Sequence, residues 1–168
     1  MRRLLSLLLL FTPAVLAAAP QGLDALAGYA GRWKAEIHRF KTAYSDRGED
    51  LFELRNDCWR SAGFFVCDQF VGGESKALLV FLYDAKSGGY ASYPIAAAGV
   101  PVVHPGALVL QGPVWTFPWD TEEAGKLTHF RVVNTWESAD SILFRQEYSA
   151  DGKQWTLMAE GRETRLKD

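Results

Sequence analysis

Two stretches decide the fold class: Leu127-Thr-His-Phe-Arg-Val-Val-Asn-Thr-Trp-Glu137 and Ser141-Ile-Leu-Phe-Arg-Gln-Glu-Tyr-Ser149. In the first, Phe130, Val132, Asn134 and Trp136 fall on one side, and His129, Arg131, Val133 and Thr135 on the other. In the second, Ile142, Phe144, Gln146 and Tyr148 oppose Leu143, Arg145 and Glu147. A period of two belongs to a strand with one buried and one wet face. The joining Ser138-Ala-Asp140 carries turn chemistry, so the pair reads as a hairpin.

The same signal extends outward. Runs rich in aromatic and β-branched residues recur near 32–40, 50–59, 64–71, 77–83 and 89–95, then near 100–103, 107–111, 113–119 and 153–163. Asp84-Ala-Lys-Ser-Gly88 and Ala150-Asp-Gly152 supply further turns. One short helix is expected near Leu23 to Tyr29. About ten strands with no helix between them predict an all-β domain, either a closed antiparallel barrel or a two-sheet sandwich.

Residues 1–19 read as a cleaved signal peptide. Arg2 and Arg3 precede an apolar run from Leu4 to Leu16, and small residues follow, with Ala17 the best-suited cleavage position. The run is short of the roughly 20 apolar residues that span a bilayer. Residues 20–168 then form one domain, periplasmic or secreted. Of 18 Lys and Arg two lie in the signal, leaving 16 against 20 Asp and Glu, a net charge near −4. That balance excludes a nucleic-acid partner, which needs a basic face. The remaining chain has no second apolar run of spanning length, so no stable membrane insertion is expected after cleavage.

Cys58 and Cys67 lie in a compartment that favours disulfides. The segment between them reads as a hairpin turning near Ala62-Gly63, which sets 58 opposite 67 as a non-hydrogen-bonded pair within reach of a disulfide. The spacing is unlike a redox-active CxxC, so a structural staple is expected. The same register opposes Asp57 and Asp68, a repulsive pair that Arg55 relieves if both are exposed.

No catalytic constellation outweighs its structural explanation. His38 and His129 share faces with Lys34 and Arg131 and read as surface residues. His104, in Val102-Val-His-Pro105, is the one histidine to weigh as a ligand or base. There is no His-x-x-His or Cys/His cluster for zinc and no Gly-x-Ser-x-Gly elbow. Asp120, Glu122 and Glu123 read as a solvated acidic loop. Asn56, Gln69, Asn134 and Gln146 are amides on otherwise apolar faces, which suits either a cavity or buried hydrogen bonds at strand ends. Trp115, Phe117 and Trp119 share a face of the run that carries Pro113 and Pro118, and Tyr83, Tyr90 and Tyr93 lie across the preceding hairpin. Such aromatics line pockets or fill barrel interiors.

Gly31-Arg32-Trp33 after a short helix resembles the Gly-x-Trp opening of lipocalins and their wider calycin relatives. The ending, Ser149-Ala-Asp-Gly-Lys-Gln-Trp155 followed by Gly161-Arg-Glu-Thr-Arg165, resembles that of secreted bacterial lipocalin-like proteins. The resemblance implies an up-and-down β-barrel of about eight to ten strands with a short N-terminal helix. It also implies structural roles for Gly31 and Trp33, and an arginine, Arg162 or Arg165, stacked on the indole. A haem-binding branch of the calycins, the nitrobindin-like proteins, opens Gly-x-Trp-x-Gly-x-Gly and ligates haem through a C-terminal His. Here the later glycines are missing and no His follows His129, so no cofactor is expected.

The functional expectation is a periplasmic carrier of a small hydrophobic or amphipathic molecule, without chemistry. Trp115, Phe117, Trp119, Phe130, Trp136, Phe144 and Tyr148 would line the pocket, with Asn134 and Gln146 orienting the ligand. An isomerase-like or haem-dependent enzyme on the same barrel would instead place His104 or Glu160 in the cavity. A cell-envelope assembly factor would show an exposed apolar patch.

Overall fold

The computed structural model describes residues 21–45, 48–97 and 105–167. Residues 1–19, read above as a signal peptide, His104 and the strand expected near 100–103 lie outside the described residues. A short 3-10 helix, Gly22–Tyr29, leads into ten strands: β1 (Gly31–Arg39), β2 (Asp50–Ser61), β3 (Phe64–Val71), β4 (Glu74–Asp84), β5 (Gly89–Ala96), β6 (Gly106–Gln111), β7 (Val114–Glu123), β8 (Lys126–Ser138), β9 (Ser141–Ser149) and β10 (Thr156–Arg165). Each pairs antiparallel with the next, and β1 also pairs with β10, so the sheet closes into a barrel. Closure removes both sheet edges and resolves the barrel-or-sandwich choice. No helix among the described residues is long and apolar enough to cross a membrane.

The alternation read from 127–149 sets the inner wall. Asn134 faces Phe144 across the β8–β9 ladder, and Trp136 faces Ile142. One end of the barrel is plugged by the 3-10 helix, whose Leu23, Leu26 and Tyr29 are buried against Trp33, Trp115 and Ile142. Trp33 is completely buried and donates its indole N–H to Tyr29 O at 3.0 Å. Arg165, the inward-facing member of the two candidate arginines, lies 4.2 Å above the Trp33 ring. It donates to Gly28 O at 2.5 Å, to Ala30 O at 2.6 Å and to Asp140 at 3.0 Å, tying the helix end to the β8–β9 turn. Arg162 does not hold the indole; one position out of phase, it points outward to Glu137 and Ser141. Toward the other end Ala35, Ile37 and Ala159 pack with Phe52, Leu54 and Phe144.

Cys58 and Cys67 face each other in the β2–β3 ladder, 4.0 Å apart at Cα, and are disulfide-bonded. Asp57 and Asp68 are opposed as the register requires; Arg55 sits 3.0 Å from Asp57, and Ser75 donates to Asp68 at 2.6 Å. Closing a loop of about ten residues removes denatured-state entropy worth about 2.5–3 kcal/mol. Urea melts with and without reductant should therefore differ in midpoint with the reduced protein weaker, and coincident curves would show that the bridge adds nothing.

One wet-face assignment is corrected. Glu147, read as an outward exposed residue, is 5% exposed. Arg131 and Arg145 reach its carboxylate at 2.6 Å and 3.1 Å, and Trp155 from the last hairpin stacks on Arg131 at 3.8 Å. A charge buried this way is tolerated because Arg131 hydrogen-bonds to it and Arg145 pairs with it as a second cation.

Candidate functional site

The barrel encloses a cavity of about 670 Å³. Its walls are mainly apolar: Leu79 and Phe81 of β4, Pro94 of β5, Phe117 of β7, Val132 of β8 and Phe144 of β9. The opening follows from strand lengths. β6 pairs with β5 only as far as Ser92–Gly106 and with β7 only from Val109–Thr116. Where that pairing ends, Pro94, Pro105, Pro118, Trp119 and Asp120 border the cavity. The prolines of β5 and β7 sit where a missing N–H leaves no ladder bond broken.

The floor is polar. Asn56, Asn134 and Glu163 are each buried, at 4%, 6% and 3% exposure, and Tyr29 beneath them at 5%. The Tyr29 hydroxyl donates to Glu163 Oε2 at 2.5 Å, and Asn56 Nδ2 donates to Tyr29 Oη at 2.9 Å and toward Glu163 Oε2 at 3.4 Å. Gln69 Nε2 donates to Asn56 Oδ1 at 3.3 Å, and Asn134 Nδ2 reaches Glu163 Oε1 at 3.4 Å. The alternation explains the placement: Ala159, Gly161, Glu163 and Arg165 share a face of β10, so the inward face of Arg165 is also that of Glu163.

Burial pushes the Glu163 carboxyl above its usual range, and the bonds from Tyr29, Asn56 and Asn134 only partly offset this. Burial, then the neighbouring Glu163 charge, holds the Tyr29 phenol well above its ordinary value, so it stays a donor at neutral pH. A carboxyl with a raised folded-state pKa binds its proton more tightly folded than unfolded. Stability from this group is therefore greatest at low pH and falls as pH rises from the ordinary carboxyl range through the raised value. Glu163→Gln should raise the melting temperature of the empty barrel near neutral pH by about 2–4 °C, the equivalent of about 1 kcal/mol. Near the acid end, where wild-type Glu163 is protonated, the gain should vanish. A lower melting temperature for the variant at neutral pH would show the carboxylate to be stabilising.

The structure distributes the sequence candidates over three layers. Phe117, Trp119, Asn134 and Phe144 line the cavity. Trp115 and Trp136 lie beneath its floor, edge-on to Tyr29 at 5.9 Å and 6.1 Å, and plug the barrel. Phe130 and Tyr148 pack against Tyr44 at 5.2 Å and 4.7 Å, with Trp119 stacked on Phe130 at 5.4 Å. Gln146, although on the inward face between Val132 and Ala159, does not reach the cavity. His38 and His129 bond Glu49 and Asp120 on the outer surface. Glu160 is exposed on the outer face of β10, and Glu163 is the carboxylate that faces inward.

Tyr29, Gln69, Asn56 and Glu163 were outside the expected ligand set. Asn56 and Gln69 had been recognisable as amides on an apolar face, and Glu163 was legible from its phase with Gly161 and Arg165. Tyr29 was not, because helix periodicity does not say which end of a barrel a helix plugs. No His, Cys or Met occurs among the described cavity residues, and the one phenol is engaged by Glu163, so this lining offers no fitting ligand to a haem iron. No group of three or more metal-ligating side chains occurs among the described residues.

Fold and site together define a closed, ten-stranded antiparallel barrel with an apolar cavity on a polar floor. The chain matches no protein-family model and no curated protein. Among solved structures it is similar to Rv2717c from M. tuberculosis, at 14% identity and TM-score 0.56, covering 90% of this chain and 99% of that one. It is also similar to the S-type phycobiliprotein lyase CPES from Guillardia theta, at 13% identity and TM-score 0.51, covering 89% and 96%. At these identities the likeness is one of fold.

Proposed function

We propose that this protein is a periplasmic or secreted carrier that holds a small amphipathic molecule in the barrel interior and does not transform it. The observation that carries this is the cavity itself: about 670 Å³ of space with mostly hydrophobic walls and a few convergent polar groups, the composition of a small-molecule site. A barrel that needed only stability would fill that space with side chains. The fold neighbour from Guillardia theta, a phycobiliprotein lyase, is consistent with a barrel that handles small molecules, and it does not supply this chain's ligand. The disulfide and the leader-like residues 1–19 support an oxidising compartment.

The test is native mass spectrometry of protein released gently by osmotic shock, followed by denaturing extraction, with N-phenyl-1-naphthylamine fluorescence on the stripped protein. A bound small molecule, or dye binding lost in Val132→Trp, which places an indole in the cavity, is the expected result. Recovery in the cytosolic fraction would overturn the localisation. A bare mass together with no dye binding would overturn the carrier.

A further inference from the structure

The floor of the cavity has more acceptor capacity than its own donors use. Glu163 Oε2 is engaged by the Tyr29 hydroxyl and Asn56. Glu163 Oε1 has one long contact, 3.4 Å from Asn134 Nδ2. Asn134 Oδ1 is enclosed and has no hydrogen-bond partner. Both residues line the cavity and are more than nine-tenths buried. The donors around them are directed at protein acceptors: Tyr29 to Glu163, Asn56 to Tyr29, Gln69 to Asn56. Glu163's hydrogen-bond partners are a phenol and two amides, none of them cationic.

A buried carboxylate without a counter-ion beside an unpaired amide oxygen is costly in an empty barrel. Both costs vanish if the missing donors arrive with the ligand. We infer that the ligand carries a protonated primary amine, seated between Glu163 Oε1 and Asn134 Oδ1, with its apolar body against Phe117, Val132 and Phe144. This rests on the carrier reading and names the ligand class for the same cavity. An ammonium brings three N–H donors, enough for both free acceptors, and a charge that pairs with Glu163 where low dielectric strengthens the attraction. An alcohol brings one donor and no charge. A carboxylate head would meet the like charge of Glu163.

The experiment is calorimetric titration near neutral pH with four compounds that share one apolar body: 1-naphthylmethylamine, 1-naphthylmethanol, 1-methylnaphthalene and 1-naphthoate. The amine should bind at least about tenfold more tightly than the alcohol or the hydrocarbon, and naphthoate most weakly. Glu163→Gln should reduce amine affinity about tenfold or more while leaving methylnaphthalene within about twofold, which also reports that the variant is folded. Asn134→Leu, which removes the second acceptor, should reduce amine affinity in the same selective way. Equal affinity for the amine and methylnaphthalene would overturn the head-group inference and leave the carrier reading standing. Tightest binding of naphthoate would do the same. Binding of none of the four would overturn both.

Discussion

Trp33→Ala should cost about 3–5 kcal/mol, the range for emptying a fully buried aromatic site, and lower the melting temperature by about 10 °C or more. Trp33 carries three jobs at the plugged end. Its rings fill the space between Tyr29 and Trp136, at 5.3 Å and 5.4 Å. Its N–H holds the last carbonyl of the 3-10 helix, and its face supports the Arg165 guanidinium. Removing the indole also takes the ring beneath Arg165, whose bonds to Gly28 and Ala30 fix the helix end to β10. Tyr29 then loses its clamp, so the Glu163 floor should loosen with the plug. Thermal melts by near-ultraviolet circular dichroism read both effects. A loss below about 1 kcal/mol would mean that the plug is held without Trp33.

Gly161→Ala should cost about 3 kcal/mol for a single added methyl. A Cβ there would stand 2.2 Å from Glu36 O and 3.0 Å from Ile37 Cα, both backbone atoms of β1. No rotamer change relieves that contact, because nothing in it is a side chain. The β1–β10 ladder, where Gly161 opposes Ile37, would have to splay at the seam that closes the barrel. Glu163 lies two residues along the same face, so the variant should also weaken ligand binding. The check is a denaturant midpoint beside a titration with N-phenyl-1-naphthylamine. An unchanged midpoint would show that the two strands have slack at this point.

Both positions mark how far the sequence reaches. Trp33 was legible because Gly-x-Trp after a short helix resembles the opening of a known barrel family. Gly161 carried no such signal, since close approach of two backbones depends on a partner strand more than a hundred residues away. The disulfide was legible for the opposite reason: its register follows from a hairpin, which is local. The pocket aromatics fell between these cases. Alternation put Trp115, Phe117 and Trp119 on one inner face, but an inner face has a height as well as a side. Trp115 belongs to the plug, Phe117 to the wall and Trp119 to the rim, and a period of two does not record height.

By itself the sequence determined an all-β chain of about ten strands, which residues face inward, and the bridge from Cys58 to Cys67, because each depends on neighbours within a strand or a hairpin. Only the tertiary structure decided that the sheet closes, that Arg165 and not Arg162 caps Trp33, and that Tyr29, Asn56, Asn134 and Glu163 converge on one cavity floor. Those four come from the helix and from β2, β8 and β10, and they meet only once the barrel closes. The convergence depends on the stagger of strands around that barrel, which no local period encodes.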